Sequence, residues 1–107
     1  MTAELHAEAE PELVAAAEWY EVRREGLGQD FIEEVVRAAE AIQASPRAWA
    51  AWPGVRSDLG IRRFVLARFP FSLPYQIGQN RIIILAIAHT RRRPRYWLKR
   101  VVGVAEP

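Results

Sequence analysis

The chain reads as an α+β protein of two layers. A helical hairpin lies on one face of a mainly antiparallel sheet, in the order β-α-α-β-β-β. Three observations predict this. Two stretches between residues 11 and 44 repeat their apolar residues at helical spacing, with a Gly-Leu-Gly link between them. Three strand-like stretches follow after residue 60 at hairpin spacing. The last of them, Ile82 to Ala88, is an unbroken aliphatic run, rich in β-branched residues and too short for most helices, so it reads as a buried central strand. A length of 107 residues supports one core, and a single domain over residues 1–107 is expected.

Taken in order, residues 3–8 alternate weakly, Leu5 and Ala7 against Glu4, His6 and Glu8, as a short first strand does. Pro11 suits the first turn of a helix, and Glu10 and Glu12 favour its positive end. Leu13, Ala16, Ala17 and Tyr20 form its stripe, which should end near Glu25, before Gly26. Trp19 lies off that stripe and is expected to cover a sheet edge or a helix end. The second helix runs from about Gln29 to Ala44 on Phe31, Val35, Ala38, Ala39 and Ile42, and Ser45-Pro46 stops it. Residues 47–60 read as a loop in which Trp49 and Trp52 either anchor to the core or face a partner.

Ile61 to Ala67 and Phe71 to Ile77 alternate as strands, and Gly78-Gln79-Asn80 turns the chain into the aliphatic run. Pro74 donates no ladder hydrogen bond, so a bulge or a missing bond is expected there. Strict alternation puts Ile82, Ile84, Ala86 and Ala88 on one face of the last strand and Ile83, Leu85 and Ile87 on the other. Both faces are apolar, so the one turned from the helices needs a cover, either the C-terminal segment or another chain. His89 and Thr90 to Trp97, with three consecutive arginines, then form a cationic, aromatic loop.

Charge is split along the chain. Residues 1–46 hold 3 arginines against 11 acids, a net of −8, and residues 47–107 hold 12 Arg and Lys against Asp58 and Glu106, a net of +10. A basic half of this size suits an anionic surface, or it is neutralised by the acidic half beside it. Lys99 is the sole lysine. There is no cysteine, which removes disulfides, thiol catalysis and cysteine-based metal sites. The absence of a long apolar run or a leader-like start leads to the expectation of a cytoplasmic protein without membrane contact. His6 and His89 are the only histidines, so no metal site and no cofactor are expected. Neither a nucleophile elbow around Ser45, Ser57 or Ser72 nor a glycine-rich phosphate loop is present. A plain nucleic-acid-binding module remains compatible with the basic half and its interleaved aromatics.

Four features in this order are similar to those of the RelE/ParE superfamily of type II toxins, often described as plasmid stabilisation proteins. They are the element order, the EWYxxxRxGLGxxF pattern (Glu18 to Phe31), the RRFxLxRFPFSLPY segment (Arg62 to Tyr75) and the closing AHTRRRPRYW (Ala88 to Trp97). The resemblance spans about residues 3 to 101. It implies a two-layer RelE/ParE-like fold with a short C-terminal helix, and a toxin neutralised by a cognate antitoxin whose disordered segment folds over it. A homodimer or a toxin–antitoxin hetero-oligomer is compatible with it.

The superfamily's branches differ in target. RelE-like members cut messenger RNA on the ribosome, whereas ParE-like members poison DNA gyrase and have no recognised cleavage site. Cleavage would need a base, phosphate-holding cations and an acid, for which Arg62, Arg63, His89, Arg91 and Tyr96 are the candidates. The RelE-like branch typically carries an arginine where this chain has Ser72, and its basic second strand is here the thinner Arg62-Arg63 pair. These departures favour the ParE-like reading, a gyrase-inhibiting and non-catalytic toxin. Arg62, Arg63, Arg68, His89, Arg91, Arg92, Arg93, Tyr96 and Trp97 are then target or antitoxin contacts.

Overall fold

The computed structural model describes residues 1–101. Its elements are β1 (Ala3–Leu5), α1 (Ala9–Arg23), α2 (Leu27–Ala44), β2 (Ile61–Val65), β3 (Phe71–Gly78), β4 (Arg81–Ile84) and β5 (Ala88–His89), with 3-10 turns at Ser57–Leu59 and Leu98–Arg100. The expected short C-terminal helix is, among the described residues, a single 3-10 turn, and residues 102–107 lie outside them.

The sheet order is β1-β4-β3-β2, with β5 also paired to β3. β1 runs parallel to β4, Ala3 opposite Ile82 and Leu5 opposite Ile84, and every other pairing is antiparallel. The loop after α2 is not wholly irregular. Trp52 N–H donates to Ile61 O at 3.0 Å and Arg63 N–H to Ala50 O at 2.9 Å, so residues 50–52 pair with the outer edge of β2. An open edge is thereby shortened.

The hairpin link is tighter than a sequence pattern conveys. Gly26 has φ 87°, which a side chain disfavours, and the Glu21 carboxylate accepts the amides of Gly26 (2.9 Å) and Gly28 (3.0 Å). A Cβ on Gly28 would stand 2.5 Å from Ala17 O, so the close helix crossing depends on that glycine. Phe31, Val35, Ala38 and Ile42 of α2 and Leu73, Tyr75, Ile82 and Ile84 of the sheet make the first core. Their burial supplies the main driving force of the fold. Trp19 is 53% exposed, its ring stacked by the Arg23 guanidinium at 3.3 Å from the centroid, and it borders a groove with Tyr20, Pro70, Phe71 and His89 at the end of β3 and β5.

The aliphatic run is not one strand. β4 ends at Ile84 and β5 begins at Ala88, and the register slips by one residue between them. Tyr75 faces Ile84 but Ser72 faces Ala88, so Leu73-Pro74 is opposed by Leu85-Ala86-Ile87. This is the bulge expected at Pro74, whose carbonyl still accepts Leu85 N–H at 2.7 Å. It corrects the strict alternation. Consecutive Leu85 and Ala86 both enter the second core, and Ile87 returns to the first.

That second core settles which cover the other sheet face receives. Ile61, Ile83, Leu85, Ala86 and Ala88 pack with Trp97, and Trp52, Val55, Leu59, Tyr96 and Val101 close over them. The chain covers the face with its own loop and C-terminal strap. The uncovered face therefore no longer argues for a partner.

Candidate functional site

At one end of the second sheet face the loop and the strap leave a cleft of about 220 Å³. Its floor is the Ser72–Ala88 pair across β3 and β5, two small side chains brought opposite each other by the bulge. Trp52 and Trp97 form one aromatic wall, edge to face at 4.9 Å, and Tyr96 stands beside them. Arg63, Arg92, Arg93 and Arg95 ring the opening, and no Asp or Glu lines it. Four cations with no acid among them make a surface of strongly positive potential.

The cations are held differently. The Arg93 side chain has no hydrogen bond or ion pair among the described residues, and the Arg63 side chain has only the Trp52 ring, 5.6 Å away. Arg95, at φ 62°, donates to Gly54 O at 3.0 Å. Gly54 has φ 76°, which a side chain disfavours, and a Cβ there would lie 2.6 Å from that Arg95 nitrogen and displace it from the carbonyl. Arg92 stacks on Tyr96 at 3.8 Å and reaches the Glu12 carboxylate at 3.9 Å.

Glu12 is the centre of a buried cluster beneath the loop. Its carboxylate accepts Ile87 N–H (3.0 Å), the Tyr96 hydroxyl (3.0 Å) and both terminal nitrogens of Arg100 (3.1 and 2.8 Å). Arg100, 8% exposed, also donates to Leu85 O at 2.9 Å. Burial pushes the Glu12 carboxyl up, but the bonds from Arg100, Ile87 and Tyr96 outweigh it and hold it below the usual range. The Tyr96 phenol is pushed up to about 12, by burial first and then by the Glu12 charge and hydrogen bond. At His89 the Nδ1 accepts Arg91 N–H at 3.0 Å and the ring sits edge-on to Phe71 at 5.0 Å.

The profile of the family described as ParE toxin of type II toxin-antitoxin system, parDE, matches residues 3–94. The chain belongs to the ParE toxin family. Among solved structures it is similar to a chain described as "Chromosomal ParDE TA system from P. aeruginosa", at 25% identity and a TM-score of 0.70. That match covers 85% of this chain and 97% of the other. A search of curated proteins found no match.

In this ParE-family chain the sequence candidates separate into groups. Arg63, His89, Arg92, Arg93, Tyr96 and Trp97 all line the cleft. Trp97 does so from beneath, at 1% exposure, as part of the second core. Arg62 stands on the opposite face and donates to Trp49 O at 2.7 Å, which anchors the loop. Arg68 lies at the β2–β3 turn, 3.6 Å from Asp30. Arg91 is exposed beside the cleft but not among its lining. The five residues considered for RNA cleavage therefore do not form one site. Arg95, Glu12 and Arg100 went unrecognised in the sequence, because an acid in a helix's first turn and arginines in a basic tail have ordinary local explanations. No helix among the described residues is long and apolar enough to cross a membrane.

Proposed function

We propose that this ParE-family chain arrests growth by binding and inhibiting DNA gyrase through its basic cleft, in the cytoplasm, without chemistry of its own. A cognate antitoxin, carrying acidic residues to the cleft's arginines, neutralises it as a hetero-oligomer. The observation that carries the reading is a cleft rich in cations but poor in groups placed to move protons. RNA cleavage needs a base and an acid within reach of one phosphate. The Tyr96 hydroxyl is already given to Glu12, and burial keeps its proton bound. One nitrogen of His89 is taken by the Arg91 amide. Cations without such a pair suit contact more than catalysis.

The test induces the chain without antitoxin and follows thymidine and methionine incorporation together, alongside supercoiling by purified gyrase. DNA synthesis should fall first, and the purified chain should inhibit supercoiling. The Arg91→Ala/Arg93→Ala double variant should lose most of both effects while melting within about 2 °C of the parent, since exposed charges contribute little to stability. Translation stopping first, with messenger RNA cut and gyrase untouched, would replace this reading with the nuclease.

A further inference from the structure

We infer that Glu12 is a positioning residue for the cleft, holding the basic loop and its floor in place from the helical layer. The inference rests on the cleft being the contact surface proposed above. Glu12 sits in the first turn of α1, and its side chain is 16% exposed. It ties together three segments that bound the cleft. One carboxylate oxygen accepts Ile87 N–H, which the bulge leaves without a partner on β3, and so supports the slip that puts Ala88 on the floor. The other accepts the Tyr96 hydroxyl of the wall and faces Arg92 of the rim.

The charge of Glu12 does what its shape alone would not. Arg92 and Arg100 both approach the Tyr96 ring, at 3.8 and 5.2 Å from its centroid, and both reach the Glu12 carboxylate. Without the carboxylate two like charges would share one aromatic ring. Arg100 is buried and tied to Leu85 O, so the exposed Arg92 would be the one to move. Arg91 and Arg93 have no comparable anchor among the described residues. Of the three consecutive arginines, Arg92 is thus the one whose direction is set from within the fold.

The test compares Glu12→Gln, which keeps size and an acceptor oxygen but not charge, with Glu10→Gln, an exposed neighbour on the same turn. Amide and arginine side-chain NMR spectra, thermal melts, and growth-arrest potency at matched protein levels are read together. In the parent, the Ile87 amide shift should titrate with a carboxyl below the ordinary glutamate range. In Glu12→Gln that titration should vanish, shift changes should be confined to residues 85–100, and potency should fall tenfold or more. Glu12→Asp, which restores charge on a shorter arm, should recover part of the loss, and Glu10→Gln should behave as the parent.

A folded Glu12→Gln with parental potency overturns the inference, and so do shift changes spread through α2 and β2. If Glu12→Gln does not fold, Tyr96→Phe removes one hydroxyl of the cluster. Parental spectra at residues 85–100 in that variant would equally overturn it. Parental chain that arrests growth but leaves gyrase active would refute the gyrase reading alone. The spectra judge Glu12 in either case.

Discussion

Replacing Trp97 with alanine separates a wall of the fold from a contact surface. The ring is 1% exposed and packs edge to face on Trp52 at 4.9 Å, over Ile61, Ile83, Leu85, Ala86 and Ala88. Burying an aromatic side chain removes roughly 150–250 Å² from water. At about 25 cal/mol per Å² this corresponds to about 4–6 kcal/mol. Truncating a core tryptophan to alanine costs about 3–5 kcal/mol, because the methyl remains and the site partly collapses. A loss of about 4 kcal/mol in a domain of this size lowers Tm by roughly 16–32 °C. The assay is urea and thermal unfolding of the isolated chain, followed by circular dichroism. Trp97→Phe should lose distinctly less, since it keeps a ring against Trp52. An alanine variant that loses under about 1 kcal/mol would show that the ring does not seal the second face, and would return Trp97 to the contact surface.

Two further perturbations test the fold from other directions. Ile84→Asp places a charge at a site 1% exposed, between β1 and β3, and should prevent folding; a variant that melts like the parent would remove Ile84 from the centre of the sheet. Because Glu12 is held below its ordinary value of 4.5, its contribution is fully present above that pH and is lost as pH falls through the folded value. Urea midpoints taken across the acid range should fall more steeply for the parent than for Glu12→Gln, and parallel slopes would refute the shift.

What was legible in the sequence was what repeats locally. Phe31, Val35, Ala38 and Ile42 announce α2 because each position meets the same sheet, and all four are buried. Pro74 announces the bulge because it lacks a donor. The consequence of the bulge was not legible: the side chains that change face belong to the facing strand, at Ala86, Ile87 and Ala88, where no residue type marks the slip. The basic loop was visible as a run of arginines, but their partners were not. Glu12 and Arg100 meet across 88 positions, and no periodicity reports such a pair. Trp97 shows the limit most plainly. An aromatic after a cationic loop has the composition of a contact residue, and only the path of the strap turns it inward.

The pairing of Glu12 with Arg100 also bears on when the chain acquires its shape. The α1–α2 hairpin joins neighbours in sequence and can form early, while the β1–β4 ladder and the Glu12–Arg100 pair await residues 79 and 88 positions away. During synthesis the helices can emerge and pack while the cleft still lacks its wall. A chain that ends before Arg100 carries both the Glu12 carboxylate and the arginines of the loop, but lacks the buried guanidinium that ties the two layers together. Completion of the cleft therefore depends on contacts of long sequence separation, which local helix formation does not supply.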